Sequence, residues 1–341
     1  MHVNILISSA GRRVSLMNCF RESLSELGIS GRVIAVDATP YSAAVQLADD
    51  FYLVPRCTDP NFIPEIQQIC EQEQVHLVVP TIDPELPAYA AAREQFRKQG
   101  TAIAISSPDT VRICNNKILT HEWLVAQGVP VPKQAAPEVV LADSRDWLLP
   151  LVVKPIDGSG SLGVRTVTSF GELAALVSKS NGVIVQECIQ GAEYTINVFL
   201  DREGRCLCAV PHFRMEVRGG EVSKGVTVKS REMMHLADTI VESMPGACAA
   251  LNVQCFSTAA GDLKVIEINA RFGGGYPLAH RAGAPMTTWL IEEILGRERR
   301  ERFDGWQDGL TMLRYDEAVF VPRSTLRADE HCATSLHRVE S

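Results

Sequence analysis

The chain has 341 residues, which at roughly 150 residues per domain suits two or three domains with cores of their own. Hydrophobic residues make up 46% and charged residues 22%, so a disordered, collagen-like or coiled-coil protein is excluded. The formal net charge is −8 and no long block of like charge occurs, which argues against nucleic acid as a partner. Any anion site must therefore be local.

The cysteine pattern and the apolar runs indicate in which cellular compartment the protein is located. Ten cysteines are scattered, and only Cys206 and Cys208 lie close together, which suits neither a zinc site nor a disulfide framework. Arg12 and Arg13 follow the apolar run 3–10, the reverse of the order in a signal peptide. No run reaches the roughly 18 apolar residues of a spanning helix. We expect a cytoplasmic protein without a membrane partner.

Short apolar runs alternate with helical stretches through the first hundred residues. Strands are expected at 3–8, 32–37, 75–81 and 101–106, with helices at 13–27, 64–74 and 85–99. Continuous apolar strands separated by helices predict a parallel sheet covered on both faces, in a Rossmann-like domain. The first turn has one glycine, Gly11, where a dinucleotide-binding turn carries three. We therefore expect the scaffold without a working dinucleotide site, although Asp37 ends the second strand as a ribose-binding acid would.

Beyond this domain the periodicity becomes more mixed. One helix is predicted from Pro108 to Gly128, where the glycine and two following prolines end it. Strands are then expected at 151–155, 183–189, 207–213 and 262–271, with a helix at 232–250. The residues after Arg323 are polar and aperiodic, so we expect 323–341 to be poorly ordered.

Lys154 ends an apolar strand and is followed at once by a loop with glycines at 158, 160 and 163. Glycines let successive backbone N–H groups turn toward phosphate oxygens, and a nearby ammonium neutralises their charge. The spacing is not that of a P-loop, and an ordinary turn is the alternative interpretation.

Glu267 and Asn269 lie two apart in a predicted strand, so their side chains share one face, and Gln254 lies on the strand before it. One carboxylate with amide oxygens suits a magnesium ion that substrate phosphates also hold. In the alternative interpretation, Glu267 only pairs with Arg271 on the sheet surface.

Taken together, these motifs resemble the ATP-grasp superfamily, and most of all its carbamoyl-phosphate-synthase-type branch. The resemblance covers about residues 1–322 and is densest over 115–285. The segment 214–227 is similar to an arginine-bearing loop of single-unit members. The motifs that carry the resemblance are Asn116-Lys117, Lys154-Pro155, Gln186-Glu187, Gly191-x-Glu193-x-Thr195, Asn252-Val253-Gln254 and Glu267-Ile268-Asn269-Ala270-Arg271.

The resemblance implies an α/β fold that is α+β in the ATP-grasp part. It implies a Rossmann-like pre-ATP-grasp domain at 1–108, a small lid lobe with the glycine-rich loop at 109–189, and a large lobe with the metal site at 190–322. ATP would be clamped between the two lobes.

The resemblance also implies roles for individual residues. Lys117 and Lys154 would contact ATP phosphates, and the loop over them would contribute Gly158, Ser159, Gly160, Ser161 and Gly163. Gln186, Glu187 and Ile189 would line the adenine pocket, with Glu193 on the ribose. Mg²⁺, or Mn²⁺ in its place, would be held by Gln254, Glu267 and Asn269. Arg271 would stabilise the moving phosphoryl group, while Arg214, Arg218 and Lys224 would meet phosphates or an acidic substrate.

The implied activity is a carboxylate–amine ligase that acts on small molecules through an acylphosphate. A carboxylate has no good leaving group, and phosphorylation by ATP supplies one. Three alternatives stay open: carbamoyl-phosphate-synthase-like release of the acylphosphate, a non-catalytic nucleotide-binding protein, and a nicotinamide dehydrogenase. The sequence leaves the substrate pair and a homo-oligomer undecided.

Strand ends of the first domain suggest substrate contacts, because ligands gather at the carboxyl ends of parallel strands. Arg12 and Arg13 could bind a substrate carboxylate, and Asp83 and Glu85 could contact the amine, with a solvated role as the alternative. His212, His235 and His280 are each more in keeping with a core or surface residue than with a general base.

Overall fold

The computed structural model describes residues 1–158, 160–297, 299–322 and residue 326. Its N-terminal part contains five strands, which are β1 (Asn4–Ile7), β2 (Val33–Asp37), β3 (Asp50–Leu53), β4 (Val75–Val79) and β5 (Ala102–Ile103). They form a parallel sheet in the order β3-β2-β1-β4-β5, which confirms the predicted parallel architecture. The half-buried strand β3 was not predicted from the sequence, and β5 is shorter than the apolar run 101–106 suggested.

Helices cross between these strands. They are α1 (Val14–Glu26), α2 (Ala43–Leu47), α3 (Phe62–Gln72) and α4 (Leu86–Lys98). The helix α1 forms because its apolar residues recur on one face, where Leu16, Met17, Phe20 and Leu24 are buried. The Asp37 carboxylate accepts a hydrogen bond from the Gly11 N–H at 2.8 Å, so the acid holds the first turn.

A four-stranded antiparallel sheet follows. The elements of this region are α5 (Pro108–Asn115), α6 (Lys117–Ala126), β6 (Gln134–Ala135), α7 (Pro137–Ala142), β7 (Leu151–Pro155), β8 (Arg165–Val167), α8 (Phe170–Val177) and β9 (Val183–Glu187). The strand order is β6-β9-β7-β8. The glycine-rich loop joins the hydrogen-bonded neighbours β7 and β8, so it lies at one end of this sheet.

The last part is built around a six-stranded antiparallel sheet. Its elements are β10 (Gly191–Leu200), β11 (Cys206–Arg218), β12 (Glu221–Thr227), α9 (Arg231–Ser243), β13 (Ala249–Thr258), β14 (Leu263–Asn269), α10 (Tyr276–Arg281), α11 (Met286–Ile294) and β15 (Thr311–Leu313). The strand order is β14-β13-β10-β11-β12-β15. Of the described helices, none is both long and apolar enough to cross a membrane.

The buried side chains fall into two clusters. One runs continuously from the parallel sheet into the six-stranded sheet and includes side chains of α5 and α6, such as Val111 and Leu124. The other lies under the four-stranded sheet and consists of Val140, Trp147, Leu151, Val153, Val167, Leu173 and Val185. The four-stranded sheet therefore has a core of its own, whereas the first and last sheets share one. The domain limits given above stay a prediction.

Three local expectations are wrong. The single helix over 108–128 is two helices, because Asn116 has extended backbone angles and its side chain accepts the N–H groups of Ile118 and Leu119. The expected loop 214–227 is a hairpin of β11 and β12, whose turn Gly219-Gly220 has positive φ at both residues. The expected helix over 232–250 ends at Ser243, and β13 begins at Ala249. The tail 323–341 lies outside the described residues except for Leu326.

Candidate functional site

Two cavities adjoin each other where the three sheets meet. The first cavity, of about 250 Å³, lies between the four-stranded and six-stranded sheets. The second cavity, of about 220 Å³, lies between the six-stranded sheet and the turns that follow β1 and β4. Both are lined by Ser161, Arg214, Gln254 and Glu267. A ligand in one cavity can therefore reach a ligand in the other across this common wall.

Two lysines face the first cavity without a carboxylate partner. The Lys154 Nζ donates to Gln186 Oε1 at 2.9 Å, and the Lys117 Nζ donates to the Gly158 carbonyl at 2.5 Å. The pKa of Lys154 is lowered to about 8, chiefly by burial, with Glu267 opposing the shift and Lys117 adding to it. Among the described residues neither lysine has an ion pair, so their charge is available to an anion.

The glycine-rich loop closes one side of the first cavity. Positive φ angles of 61° at Gly160, 60° at Ser161 and 75° at Gly163 give it the tight course that glycine favours. Gly158 and Gly163 lie against Pro155, where a Cβ on Gly163 would approach Pro155 Cγ to 2.9 Å. Of the five loop residues predicted to bind phosphate, Ser159 lies outside the described residues.

The loop also touches the turn of the β11–β12 hairpin. A Cβ on Gly220 would lie 2.6 Å from the carbonyl carbon of Gly160, a distance that no real Cβ contact tolerates. The Gly220 carbonyl in turn accepts a hydrogen bond from Arg214 Nη2 at 3.0 Å. The backbone of the turn therefore joins the loop to the common wall.

The far end of the first cavity is less polar. Gln186, Glu187 and Ile189 lie at the end of β9, opposite Phe256 and Ile266. The Glu187 carboxylate accepts from the Lys133 N–H and from Lys264 Nζ at 3.2 and 3.3 Å, which fixes its direction. This part of the lining offers both apolar surface and polar atoms to a ligand.

Glu193 lies nearer the common wall. Its Oε1 is 3.4 Å from Arg214 Nε, yet burial raises the pKa of Glu193, with Arg214 opposing the effect and Glu267 adding to it. The Arg214 guanidinium also donates to Thr195 Oγ1 and Gln254 Oε1 at 3.2 and 3.1 Å. Arg214 is therefore held by several contacts between the two cavities, and its expected role toward phosphates or an acidic substrate stays a prediction.

The predicted metal ligands are brought together by strand register. Gln254 pairs with Glu267 across β13 and β14, and Asn252 pairs with Asn269 in the same way. The Glu267 carboxylate faces both cavities and has no hydrogen bond or ion pair to any described residue. The described residues contain no group of three His, Cys, Asp or Glu side chains that could hold a metal alone. One free carboxylate beside amide oxygens fits Mg²⁺ that is shared with phosphate oxygens.

Arg271 does not pair with Glu267, so that alternative interpretation is wrong. Its Nε and Nη2 instead donate to the two carboxylate oxygens of Asp83 at 2.9 and 2.6 Å. Burial alone would lower the pKa of Arg271, but Asp83, with help from Glu267, holds it above its usual value. This bidentate pair, both members of which line the second cavity, ties the turn after β4 to the end of β14.

Arg218 and Lys224 are not where the sequence placed them. Arg218 Nε and Lys224 Nζ both contact the Glu216 carboxylate, at 2.8 and 2.6 Å. Hydrogen bonds from Lys224 first, then from Ser223 and Arg218, lower the pKa of Glu216 to about 2. Neither cation lines either cavity, and the register of the β11–β12 hairpin shifts on both sides of Glu216.

Of the substrate-contact residues expected in the first domain, some line the second cavity and one does not. Arg13 lines the second cavity and pairs with Glu221 at 2.9 Å. Arg12 lies exposed at the mouth of that cavity and has no hydrogen bond or ion pair to a described residue. Glu85 lines neither cavity, so its expected substrate contact is wrong. It is fully buried and accepts hydrogen bonds from Ser8, Ser9, Thr81 and Ile82.

Several residues of the second cavity were missed or set aside from the sequence. Asn252 lines the cavity and donates to the Arg271 carbonyl at 3.0 Å, and Glu221 lines it with Arg314 behind it as an ion-pair partner at 3.0 Å. His212, treated above as an ordinary core or surface residue, is buried and lines the cavity. The sequence did contain a signal for this position. His212 lies two residues before Arg214, and residues i and i+2 of one strand share a face.

Comparison with known families matches two parts of the chain. Residues 5–104 match the PylC-like N-terminal domain, and residues 114–275 match the ATP-grasp domain. The phosphoribosylamine–glycine ligase of Methanoregula boonei is 27% identical over 246 residues, which are 63% of this chain and 56% of that ligase. The chain thus spans about half the length of this curated relative.

Solved structures show the same fold. The biotin carboxylase domain of Hydrogenobacter thermophilus 2-oxoglutarate carboxylase, in complex with MgADP, ADP and bicarbonate, has a TM-score of 0.70 at 16% identity, over 90% of this chain and 73% of that one. The L-amino acid ligase of Bacillus licheniformis has a TM-score of 0.66 at 21% identity, over 91% and 78% of the two chains. The finer likeness to the carbamoyl-phosphate-synthase branch stays a prediction.

Proposed function

The chain belongs to the ATP-grasp superfamily, and on this premise we propose that it is an ATP-dependent carboxylate–amine ligase. The observation that carries the proposal is the common wall of the two cavities, which is formed by Ser161, Arg214, Gln254 and Glu267. A nucleotide in the first cavity and an acid in the second would meet at this wall. Phosphoryl transfer needs such a juxtaposition and little else from the protein, since its catalysis is mostly positioning and charge stabilisation.

ATP is the substrate proposed for the first cavity. Lys117 and Lys154 have the unpaired charge that triphosphate oxygens require, and the loop brings Gly158 and Ser161 to the same cavity. Gly160 lines the second cavity instead, and Gly163 lines neither, so their phosphate contacts stay a prediction. Gln186, Glu187 and Ile189 offer the narrow, mixed surface that suits adenine, and Glu193 lies between that surface and the common wall, where the ribose would be.

Mg²⁺ is the metal proposed at the common wall, with Mn²⁺ as a substitute. Gln254, Glu267 and Asn269 would hold it together with phosphate oxygens, and the bound ion would neutralise charge on those oxygens. Arg214 and Arg271 add fixed positive charge from the protein itself. Both are held by hydrogen bonds before any ligand binds, so they need not reorganise during the reaction.

The proposed reaction has two steps. A carboxylate oxygen attacks the γ-phosphorus, the bond from that phosphorus to the bridging oxygen breaks, and ADP leaves. The amine nitrogen then attacks the acyl carbon, the carbon–oxygen bond to the phosphate breaks, and the amine proton passes to phosphate or solvent. No protein nucleophile is needed. The acid would lie in the second cavity, with Arg12 at its mouth and Arg13 and Asp83 on its wall.

We further propose a cytoplasmic location. All nine cysteines among the described residues are free thiols, which is the usual state in a reducing compartment.

The experiment is an assay of ADP and phosphate release with amino acids and small carboxylic acids, offered singly and in pairs. The proposal expects ADP formation that depends on both an acid and an amine. ADP formation with an acid alone, together with a hydroxamate on addition of hydroxylamine, would favour release of the acylphosphate. A thermal-shift titration sets Mg-ATP against NAD, and equal or greater stabilisation by NAD would contradict ATP as the substrate.

A further inference from the structure

His212 lies at the floor of the second cavity, on the strand β11. It is 1% exposed and stands opposite Thr195 of β10 and Thr227 of β12. The side chain lies on the same face of the strand as Arg214, which belongs to the common wall. His212 is therefore close to the place where an acid would react, although it lines only the second cavity.

The imidazole is fixed by packing. Its Nδ1 is 3.2 Å from Asn197 Nδ2, which donates to it. A Cβ on Gly275 would come within 2.5 Å of Nε2, and one on Gly225 would lie 3.5 Å from Cδ2. The ring thus fills the space that a side chain at Gly275 would need. A ring held in this way has one orientation, and glycine at 275 is required for it.

The other ring nitrogen, Nε2, is buried and has no hydrogen-bond partner among the described residues. Because Nδ1 accepts a hydrogen bond, the neutral ring carries its proton on Nε2. Burial first, and then the charges of Arg214 and Arg314, lower the pKa of His212 to about 3, so the ring is neutral at physiological pH. Nε2–H is therefore a buried donor next to Gly275 of the cavity lining that has no acceptor among the described residues, an arrangement that normally needs an explanation.

We propose that Nε2–H of His212 binds an oxygen atom of the acid in the second cavity, and so selects a carboxylate or carbonyl oxygen over an amino group at that point. This inference rests on the proposed function for the identity of the acid. Arg13 and Arg214 line the same cavity, but each already has a carboxylate partner, in Glu221 and Glu193. At Nε2 itself an ammonium group would meet a second donor, whereas a carboxylate oxygen would complete the hydrogen bond of Nε2. His212 is thus a specificity-determining residue of the acid site.

The first test needs no turnover. A long-range proton–nitrogen correlation spectrum of the protein labelled with ¹⁵N-histidine, with Mg-ADP present, reports which nitrogen of His212 carries the proton. His212→Phe identifies the signal. We expect the Nε2–H form throughout about pH 6 to 8 and a saturable shift of that signal with acetate, but none with methylammonium at equal ionic strength. An Nδ1–H form, or no shift with acetate, overturns the proposal even if the protein is an ATP-dependent ligase.

The second test uses the acid that supports ADP release in the wild-type protein. His212→Phe keeps the ring shape without the donor, and His212→Gln places an amide N–H near the position of Nε2. We expect the Phe variant to raise KM for the acid about tenfold with the Kd of Mg-ATP within twofold, and the Gln variant to recover part of the loss. His235→Gln, on the exposed side of α9, is the matched control.

An unchanged KM in the Phe variant, or equal losses in acid and ATP binding, would contradict the role of His212. If no acid supports ADP release, the ligase proposal fails, and the acetate titration still decides whether His212 binds an oxygen.

Discussion

The two cavities differ in how their cations are balanced. In the first cavity Lys117 and Lys154 have no carboxylate partner among the described residues, and Lys154 has a lowered pKa as a result of burial. In the second cavity Arg13 pairs with Glu221 and Arg271 pairs with Asp83, and Arg12, exposed at the mouth, lacks a partner among the described residues. Unpaired cations are suited to bind a polyanion whose charge replaces the missing partners. Paired cations keep a fixed geometry, and their charge is already largely compensated. The first cavity is thus built to attract a ligand and the second to orient one.

The largest effect is expected from a substitution of Glu267, the carboxylate that lines both cavities. Glu267→Gln should reduce turnover about a thousandfold, because the proposed magnesium site would lose the carboxylate that both cavities share. The fold should persist, since Glu267 has no hydrogen bond to a described residue that the change would break. ADP release and the melting temperature measure the two effects. Asp262→Asn, in the exposed turn of the same hairpin, is the control. Near-normal ATP hydrolysis in the Glu267 variant would end the metal assignment.

Arg271 tests whether a paired cation orients the reaction instead of binding ATP. Arg271→Lys should lower turnover by roughly a hundredfold and change ATP affinity by no more than a few-fold. A planar guanidinium can donate to Asp83 and to a phosphoryl oxygen at the same time, whereas an ammonium group cannot reproduce this geometry. Single-turnover rates and the Kd of Mg-ATP separate the two quantities. Asp83→Asn should reproduce part of the loss by freeing the guanidinium. A fall in affinity that accounts for all the lost activity would make Arg271 a binding residue.

Alanine substitutions at Gly219 and Gly220 test the contact between the glycine-rich loop and the turn of the β11–β12 hairpin. Gly220→Ala should weaken ATP binding about tenfold, because its Cβ would lie 2.6 Å from Gly160 and force the loop off the first cavity. Gly219→Ala is the matched variant, since φ is also positive there but a Cβ would lie 3.7 Å from its nearest contact, Arg12 Nη2. Isothermal titration with a non-hydrolysable ATP analogue compares them. Equal losses in the two variants would assign the effect to backbone strain, not to the loop contact.

The smallest predicted effect is a pH dependence of the first cavity. The pKa of Lys154 is about 8, lowered chiefly by burial, so the free protein loses this ammonium as the pH rises above 8. Phosphates bind the protonated form, and the affinity for Mg-ATP should therefore fall severalfold between about pH 7 and pH 9. Lys154→Arg should flatten the dependence, because a guanidinium stays protonated over this range. A wild-type affinity that does not change with pH would contradict the role of Lys154 as the titrating cation.

Local patterns were sufficient for much of the scaffold. The apolar runs of β1, β2, β4 and β7 predicted strands because a strand covered on both faces needs apolar residues throughout. The hairpin of β11 and β12 was missed because its segment was compared with a loop, although Arg214, Glu216 and Arg218 alternate with Met215 and Val217 as in a half-buried strand. Asn116 was also overlooked, although asparagine is a common helix cap, because the apolar periodicity continues across it.

The amino-acid sequence by itself determined which side chains share a face within one element. Glu267 and Asn269 are on one side of β14, and Lys154 precedes the glycine loop, because both relations depend only on spacing along the chain. The tertiary structure alone decided the partners. Arg271 meets Asp83, 188 residues away, and not the nearby Glu267. His212 packs against Gly275, and its Nε2 has no hydrogen-bond partner in the part of the chain that the structure describes. Such contacts between residues far apart in the chain depend on how separate sheets pack, and local sequence spacing does not encode that packing.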